Sequence, residues 1–315
     1  MAWWPPTWWL RLRAWLARLL GLWRGRWQRF EVEAPAARGL GFGWPWARQR
    51  WSCALYLPGG LADREEAPLV LLLHGCRQEA MGFAQASGWV AAAERGRFRL
   101  LCPEQPARAN PFRCWNWFLP AAQEGQGELE VVLQALAVVR AQRRSSAVAV
   151  VGLSAGGGLA ALLAFHGADR VDAVVAVAAP PLLGRANLQD PLQVMRQGLA
   201  LEPTRASARL SHCAPLLVLH GAEDDVVAPR CAEQLAAQAL DVMARERGAL
   251  EPRALPEGAE YLSGGRVVLR RLLVPGLGHA WTGAPGGHAY VVRDGPPLTT
   301  LALDFLRGTL PAFRR

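Results

Sequence analysis

The sequence predicts an α/β fold, a mostly parallel central sheet flanked by helices, and three stretches carry that prediction. Residues 68–73 (PLVLLL) form a short unbroken apolar run, as a central strand covered on both faces requires. Residues 148–163 (VAVVGLSAGGGLAALL) pass from small β-branched residues through a glycine-bracketed serine into an alanine- and leucine-rich stretch of helical character. Residues 171–177 (VDAVVAV) then supply another buried strand. With 315 residues, 51% hydrophobic and 19% charged, the chain can bury a large core and suits one α/β domain with insertions.

The formal charge of +9 is mostly local. Arg11, Arg13, Arg18, Arg24, Arg26 and Arg29 precede the first acid, Glu31, so six of the nine excess charges lie in one short segment. What remains does not make a phosphate-tracking groove, and no nucleic-acid partner is expected. The six cysteines (Cys53, Cys76, Cys102, Cys114, Cys213, Cys231) include no CxxC pair and no Cys/His metal spacing, so neither a metal nor another cofactor is expected.

Residues 1–29 hold seven of the fourteen tryptophans, interleaved with those arginines. Charge interrupts the stretch too often for a spanning helix, and Arg18 and Arg24 break the apolar core that a signal peptide needs. Tryptophan and arginine both favour the membrane–water boundary, so two readings stand side by side: an interfacial anchor, on a membrane or a polymer granule, and a helix packed on the body or a mis-assigned start codon. The domain plan is therefore a Trp/Arg-rich segment, 1–29, and a catalytic domain, 30–315.

Along that domain, Phe30–Ala34 and Arg50–Leu57 read as strands around a Gly/Pro/Trp loop. After the 68–73 strand come His74-Gly75-Cys76-Arg77-Gln78. Phe83–Glu94 reads as a helix, Phe98–Cys102 as a strand, Pro103–Pro120 as a long aromatic loop and Glu128–Arg140 as a helix. Past residues 171–177, an insertion at 182–212 precedes a strand at Pro215–Leu219, a helix at Pro229–Arg247, a strand at Arg266–Leu273 and a final helix at Leu298–Leu306.

The chemistry starts at Gly152-Leu153-Ser154-Ala155-Gly156. A nucleophilic serine needs a tight strand-to-helix turn that lifts its hydroxyl clear of the sheet, and the flanking glycines let the backbones approach. Ser154 is therefore the candidate nucleophile. His279, in a glycine-bracketed loop after the last strand, is the candidate base; His74 reads as a structural loop residue. A carboxylate just past the 215–219 strand would orient that base, with Glu223, Asp224 and Asp225 all in range. Nucleophile, acid, base is the chain order of α/β-hydrolases. The HG loop at 74–75 is placed to offer the Cys76 amide, beside that of Ala155, as an oxyanion hole. Trp115 and Trp117 would either wall an apolar substrate or anchor the core.

The strings LHGCRQ (73–78), PEQ (103–105), AN…RCWNWF (109–118), GLSAGG (152–157), HGAEDDVV (220–227) and GLGHAWTG (276–283) resemble the polyhydroxybutyrate (PHB) depolymerase family of esterases over roughly residues 30–308. The resemblance implies an α/β-hydrolase fold, no cofactor, and an ester or polyester substrate, with short-chain polyhydroxyalkanoates first and feruloyl or acetyl-xylan esters as alternatives. It places the acid at Asp224 and sets Cys76 facing Cys114, where a disulfide would brace the oxyanion loop in an oxidising compartment; Trp115, Asn116, Trp117 and Trp281 are the candidate substrate contacts. Family members are often secreted, and polymer-degrading ones carry a secretion signal and a separate substrate-binding domain, which the sequence pattern does not predict here. The non-catalytic alternative is a protein that adheres to membranes or granules through residues 1–29; a peptidase on the same scaffold is the other enzymatic one.

Overall fold

The computed structural model describes residues 25–35, 48–184 and 189–314. Expectations for residues 1–24 and for the loop at 36–47 fall outside that range. Among the described residues ten strands form one sheet: β1 (Arg26–Pro35), β2 (Arg48–Leu57), β3 (Ala67–Leu73), β4 (Arg99–Pro103), β5 (Ser145–Leu153), β6 (Ala173–Val177), β7 (Leu216–Gly221), β8 (Glu251–Leu255), β9 (Gly258–Ser263) and β10 (Arg266–Val274). Their spatial order is β1-β2-β4-β3-β5-β6-β7-β10-β9-β8. The six strands from β4 to β10 run parallel, and an antiparallel pair closes each edge. In a parallel array every strand ends on the same side, so the loops that follow these six meet along one edge.

The central strands are apolar throughout because both faces are covered. Leu69, Leu71, Val148, Val150, Leu216 and Val218 face the helices Glu128–Gln142, Ala155–His166 and Pro229–Arg247. Their neighbours Val70, Leu72, Ala149, Val151, Leu217 and Leu219 face the helices Ala80–Ala86, Trp89–Gly96 and Leu298–Thr309. The period of two along each strand thus sorts one apolar run into two cores.

Four local features differ from the sequence expectation. β1 starts at Arg26, four residues before Phe30, and pairs with β2 in continuous register, so residues 26–29 belong to the sheet. The single helix expected at 83–94 is two, Ala80–Ala86 and Trp89–Gly96. They part where Ser87 Oγ donates to the Phe83 carbonyl at 2.5 Å and Gly88 takes φ +81°. The insertion at 182–212 contains two short helices, Pro191–Gln197 and Thr204–Ser207. The β8–β9 hairpin was not expected at all. It lies at the exposed edge and carries charges that read as loop, yet Glu260 is fully buried, paired with Arg253 and with Arg270 at 2.7 Å.

Candidate active site

The turn that carries the candidate nucleophile follows from three glycines. Ser154, between β5 and the helix Ala155–His166, has φ +56°, a strained conformation for a residue with a Cβ. A Cβ on Gly152 would stand 2.1 Å from the Gly156 carbonyl oxygen, and one on Gly156 would stand 2.4 Å from the oxygens of both Leu73 and His74. At Gly157 it would meet the Val177 oxygen at 2.6 Å. The helix therefore seats directly on the ends of β3, β5 and β6, and Ser154 N–H donates to the Val177 carbonyl at 2.9 Å.

The structure brings Ser154, His279 and Asp224 together across 125 and 55 residues of chain. His279 Nε2 lies 2.9 Å from Ser154 Oγ, and Nδ1 lies 2.7 Å from Asp224 Oδ2. With Nδ1 donating to the carboxylate, Nε2 is left free to accept the serine proton. The other carboxylate oxygen accepts the N–H groups of Val226 at 3.0 Å and Val227 at 2.8 Å. Asp224 is buried, whereas the sequence rivals Glu223 and Asp225 are exposed.

Both candidate oxyanion amides adjoin this serine. Ala155 opens its helix, so its N–H has no acceptor within the helix. The loop that carries Cys76 lies against the turn: a Cβ on Gly75 would be 3.5 Å from Ser154 Cβ. Three ties hold that loop. Cys76 and Cys114 are joined by a disulfide, Arg77 N–H donates to the Phe112 carbonyl at 2.7 Å, and Gly75 N–H donates to Gln78 Oε1 at 2.6 Å. The Gln78 amide in turn donates to the Ala289 carbonyl, linking the loop to the segment beside His279.

The four expected substrate contacts need correction. Trp115 is fully buried, stacked 6.3 Å from Trp51 and 5.6 Å from His74. Trp281 is fully buried between Phe83 and Trp89 and donates its indole N–H to Thr299 Oγ1 at 3.0 Å. Trp117 is 4% exposed and packs on Gly158 of the nucleophile helix. All three are core anchors beneath the site. Asn116 is 5% exposed, and its side chain is consumed by Glu128 Oε1 at 2.7 Å, Asn110 at 2.9 Å and the Ala109 carbonyl at 3.3 Å.

That last network was missed in the sequence. Glu128 is buried and accepts from Gln105 at 2.8 Å, from the Asn116 amide and from Asn116 N–H at 2.6 Å. Burial raises its pKa, against the lowering by those three donors. The carboxylate braces the loop that bears Cys114, and the PEQ and RCWNWF strings were its only trace. Exposed apolar side chains among the described residues on loops that follow β4, β7 and β10 include Phe112, Val226 and Tyr290, the last with its ring 5.7 Å from that of His279.

His74 is structural and supplies a prediction. It is fully buried, Nε2 accepts Gln105 N–H at 3.1 Å, and Nδ1 meets the Gly75 carbonyl at 2.8 Å. Burial pulls its pKa down to about 4. An unfolded chain binds this proton near pH 6.5 and the native one does not, so stability is whole above pH 6.5 and falls as pH drops toward 4. The loss expected from this one group is about 3 kcal/mol, at about 1.4 kcal/mol per unit. Urea unfolding at pH 7 and pH 4.5 measures it, and His74→Gln should flatten the dependence; an unchanged slope in that variant would contradict the assignment.

Among the described residues, no group of three or more His, Cys, Asp or Glu side chains is placed to hold a metal ion. Nor is any described helix long and apolar enough to cross a membrane. Comparison with known proteins gives a family model described as "Esterase PHB depolymerase", matching residues 51–251. A poly(3-hydroxyalkanoate) depolymerase C from Paucimonas lemoignei is 30% identical over 185 residues, 55% of this chain and 44% of that protein. The chain thus spans less than half the length of that relative. An acetyl xylan esterase from Aspergillus awamori superposes with a TM-score of 0.63 at 15% identity, covering 89% of this chain and 99% of the other. An S-formylglutathione hydrolase from Agrobacterium tumefaciens gives 0.52 at 15% identity, covering 82% and 90%. At such identities the two structures bear on the fold alone, which is the α/β-hydrolase fold.

Proposed function

Because this chain belongs to the esterase PHB depolymerase family, we propose that it is a serine carboxylic ester hydrolase acting through an acyl-enzyme on Ser154. The observation that carries the proposal is the continuous relay from Ser154 Oγ through His279 to Asp224, with distances of 2.9 and 2.7 Å, set beside two backbone amides. Ser154 Oγ attacks the ester carbonyl as its proton passes to His279 Nε2. The carbonyl oxygen, now an anion, takes hydrogen bonds from the N–H groups of Cys76 and Ala155. Collapse breaks the bond to the alkoxy oxygen, which leaves as the alcohol with the proton from His279. Water then repeats the sequence on the acyl-serine and releases the acid.

For the substrate we favour a short-chain 3-hydroxyalkanoate ester, oligomeric or polymeric. Phe112, Val226 and Tyr290 support an uncharged, apolar ester: they follow β4, β7 and β10 at the catalytic edge and are 58%, 39% and 40% exposed. The acetyl xylan esterase likeness keeps acetylated polysaccharide as the second reading. Purified protein should release hydroxybutyrate from amorphous PHB and hydrolyse a soluble butyrate ester, with slower deacetylation of xylan. Turnover of the soluble ester alone would discard the polymer, and faster xylan deacetylation would promote the second reading. Residues 1–29 are proposed to hold the enzyme at a polymer granule or membrane surface. Removing residues 1–24, which leaves β1 whole, should then release the protein from the surface without changing soluble-ester turnover.

A further inference from the structure

A second histidine stands against Asp224. His220, at the end of β7, is fully buried, and its Nε2 lies 2.8 Å from the Val227 carbonyl oxygen and 3.4 Å from Asp224 Oδ2. This is the same oxygen that receives His279 Nδ1. An unprotonated Nε2 would aim its lone pair at two oxygens, so that nitrogen carries the proton: its N–H donates to the Val227 carbonyl and turns its positive end toward Asp224 Oδ2. The ring is closed by Val227, whose own N–H donates to Asp224 Oδ1 at 2.8 Å. The loop that holds Oδ1 is thereby the one His220 holds.

The imidazole of His220 is suited to stay neutral. Its Nδ1 is buried without a hydrogen-bond partner, so a second proton there would have no acceptor. Burial accordingly lowers the His220 pKa, outweighing the Val227 carbonyl and the Asp224 charge, while His279 acts in the lowering direction. The Cys231 thiol, on the helix Pro229–Arg247, also feels the Asp224 charge; burial pushes it up to about 12 and keeps it uncharged. Of the two histidines at the carboxylate, His279 becomes cationic on proton transfer and His220 stays neutral.

We propose that His220 is a positioning residue for the triad acid: its N–H, bonded to the Val227 carbonyl and 3.4 Å from Asp224 Oδ2, fixes the direction in which that oxygen faces His279, without contact with substrate. The inference rests on reading Ser154, His279 and Asp224 as the catalytic triad. The decisive pair is His220→Gln and His220→Asn. A glutamine amide can place an N–H where Nε2 stands, whereas an asparagine amide stops near the Nδ1 position and cannot reach the carboxylate. Both should be compared with the parent enzyme on a soluble butyrate ester from pH 5 to 9, with thermal melts to show that each is folded. For His220→Asn, kcat should fall about 10-fold or more as the loop and the carboxylate lose their fixed direction, with KM within about threefold. The acid limb of its kcat/KM profile should move to higher pH, because the N–H dipole facing Asp224 Oδ2 is lost. His220→Gln should keep kcat within about threefold and retain the parent profile. Equal losses in the two variants, or parent behaviour in both, would overturn the proposal. Ser154→Ala separates the two levels: turnover surviving in that variant would refute the triad reading itself, whatever His220 does.

Discussion

Ser154→Ala is expected to lower kcat on any accepted ester by about 10⁴- to 10⁶-fold while leaving the melting temperature within a few degrees. Loss of the nucleophile alone removes nearly everything a Ser-His-Asp unit contributes, since the three act together; what survives comes from the oxyanion amides and binding. The fold should tolerate the change. Ser154 is 8% exposed, its backbone N–H rather than its hydroxyl makes the bond to Val177, and alanine at φ +56° meets the same backbone strain as serine. Single-turnover release of alcohol from a chromogenic butyrate ester measures the effect. Parent-like turnover in a folded variant would place the chemistry elsewhere in the molecule.

Gly156→Ala should be severely damaging although it touches no reacting atom. The added methyl would lie 2.4 Å from two carbonyl oxygens, those of Leu73 and His74, and both belong to backbone that cannot rotate away. The helix Ala155–His166 must then lift from β3, opening the space between Ser154 and the Cys76 loop. A loss of at least about 3 kcal/mol follows, roughly 6 to 12 °C in Tm for a domain of this size, with activity falling alongside stability. Gly308→Ala is the matched control: it lies in the helix Leu298–Thr309 with nothing within 4 Å of the added Cβ, and alanine there should be neutral or stabilising. Equal melting temperatures for the two variants would show that the contact at Gly156 is not tight.

What the sequence determined by itself was whatever one segment can express. Apolar runs bounded by turn residues marked β3, β5, β6 and β7, because a strand buried on both faces has no polar alternation to disguise it. The glycine-serine-glycine turn marked Ser154, because only glycine at 152 and 156 lets strand and helix meet. Edge strands were harder: β8 and β9 are half solvated, so their charges look like those of a loop until Glu260 is seen enclosed by two arginines.

Tertiary structure alone decided among residues of equal local promise. Glu223, Asp224 and Asp225 are consecutive acids, and burial together with the 2.7 Å contact to His279 singles out Asp224. The aromatic loop at 113–118 suited a substrate wall or a core anchor equally well. Its tryptophans are covered because β2 and the nucleophile helix close over them, which no local pattern encodes. Glu128 carries no motif of its own, and His220 heads the HGAEDDVV string without any role legible there. Their roles come from partners: Gln105 and Asn116 for the first, and for the second a Val227 carbonyl and an Asp224 oxygen that a loop folds back onto the end of β7. A sequence states which chemistry a chain possesses, while the direction of each hydrogen bond exists only once distant segments have packed.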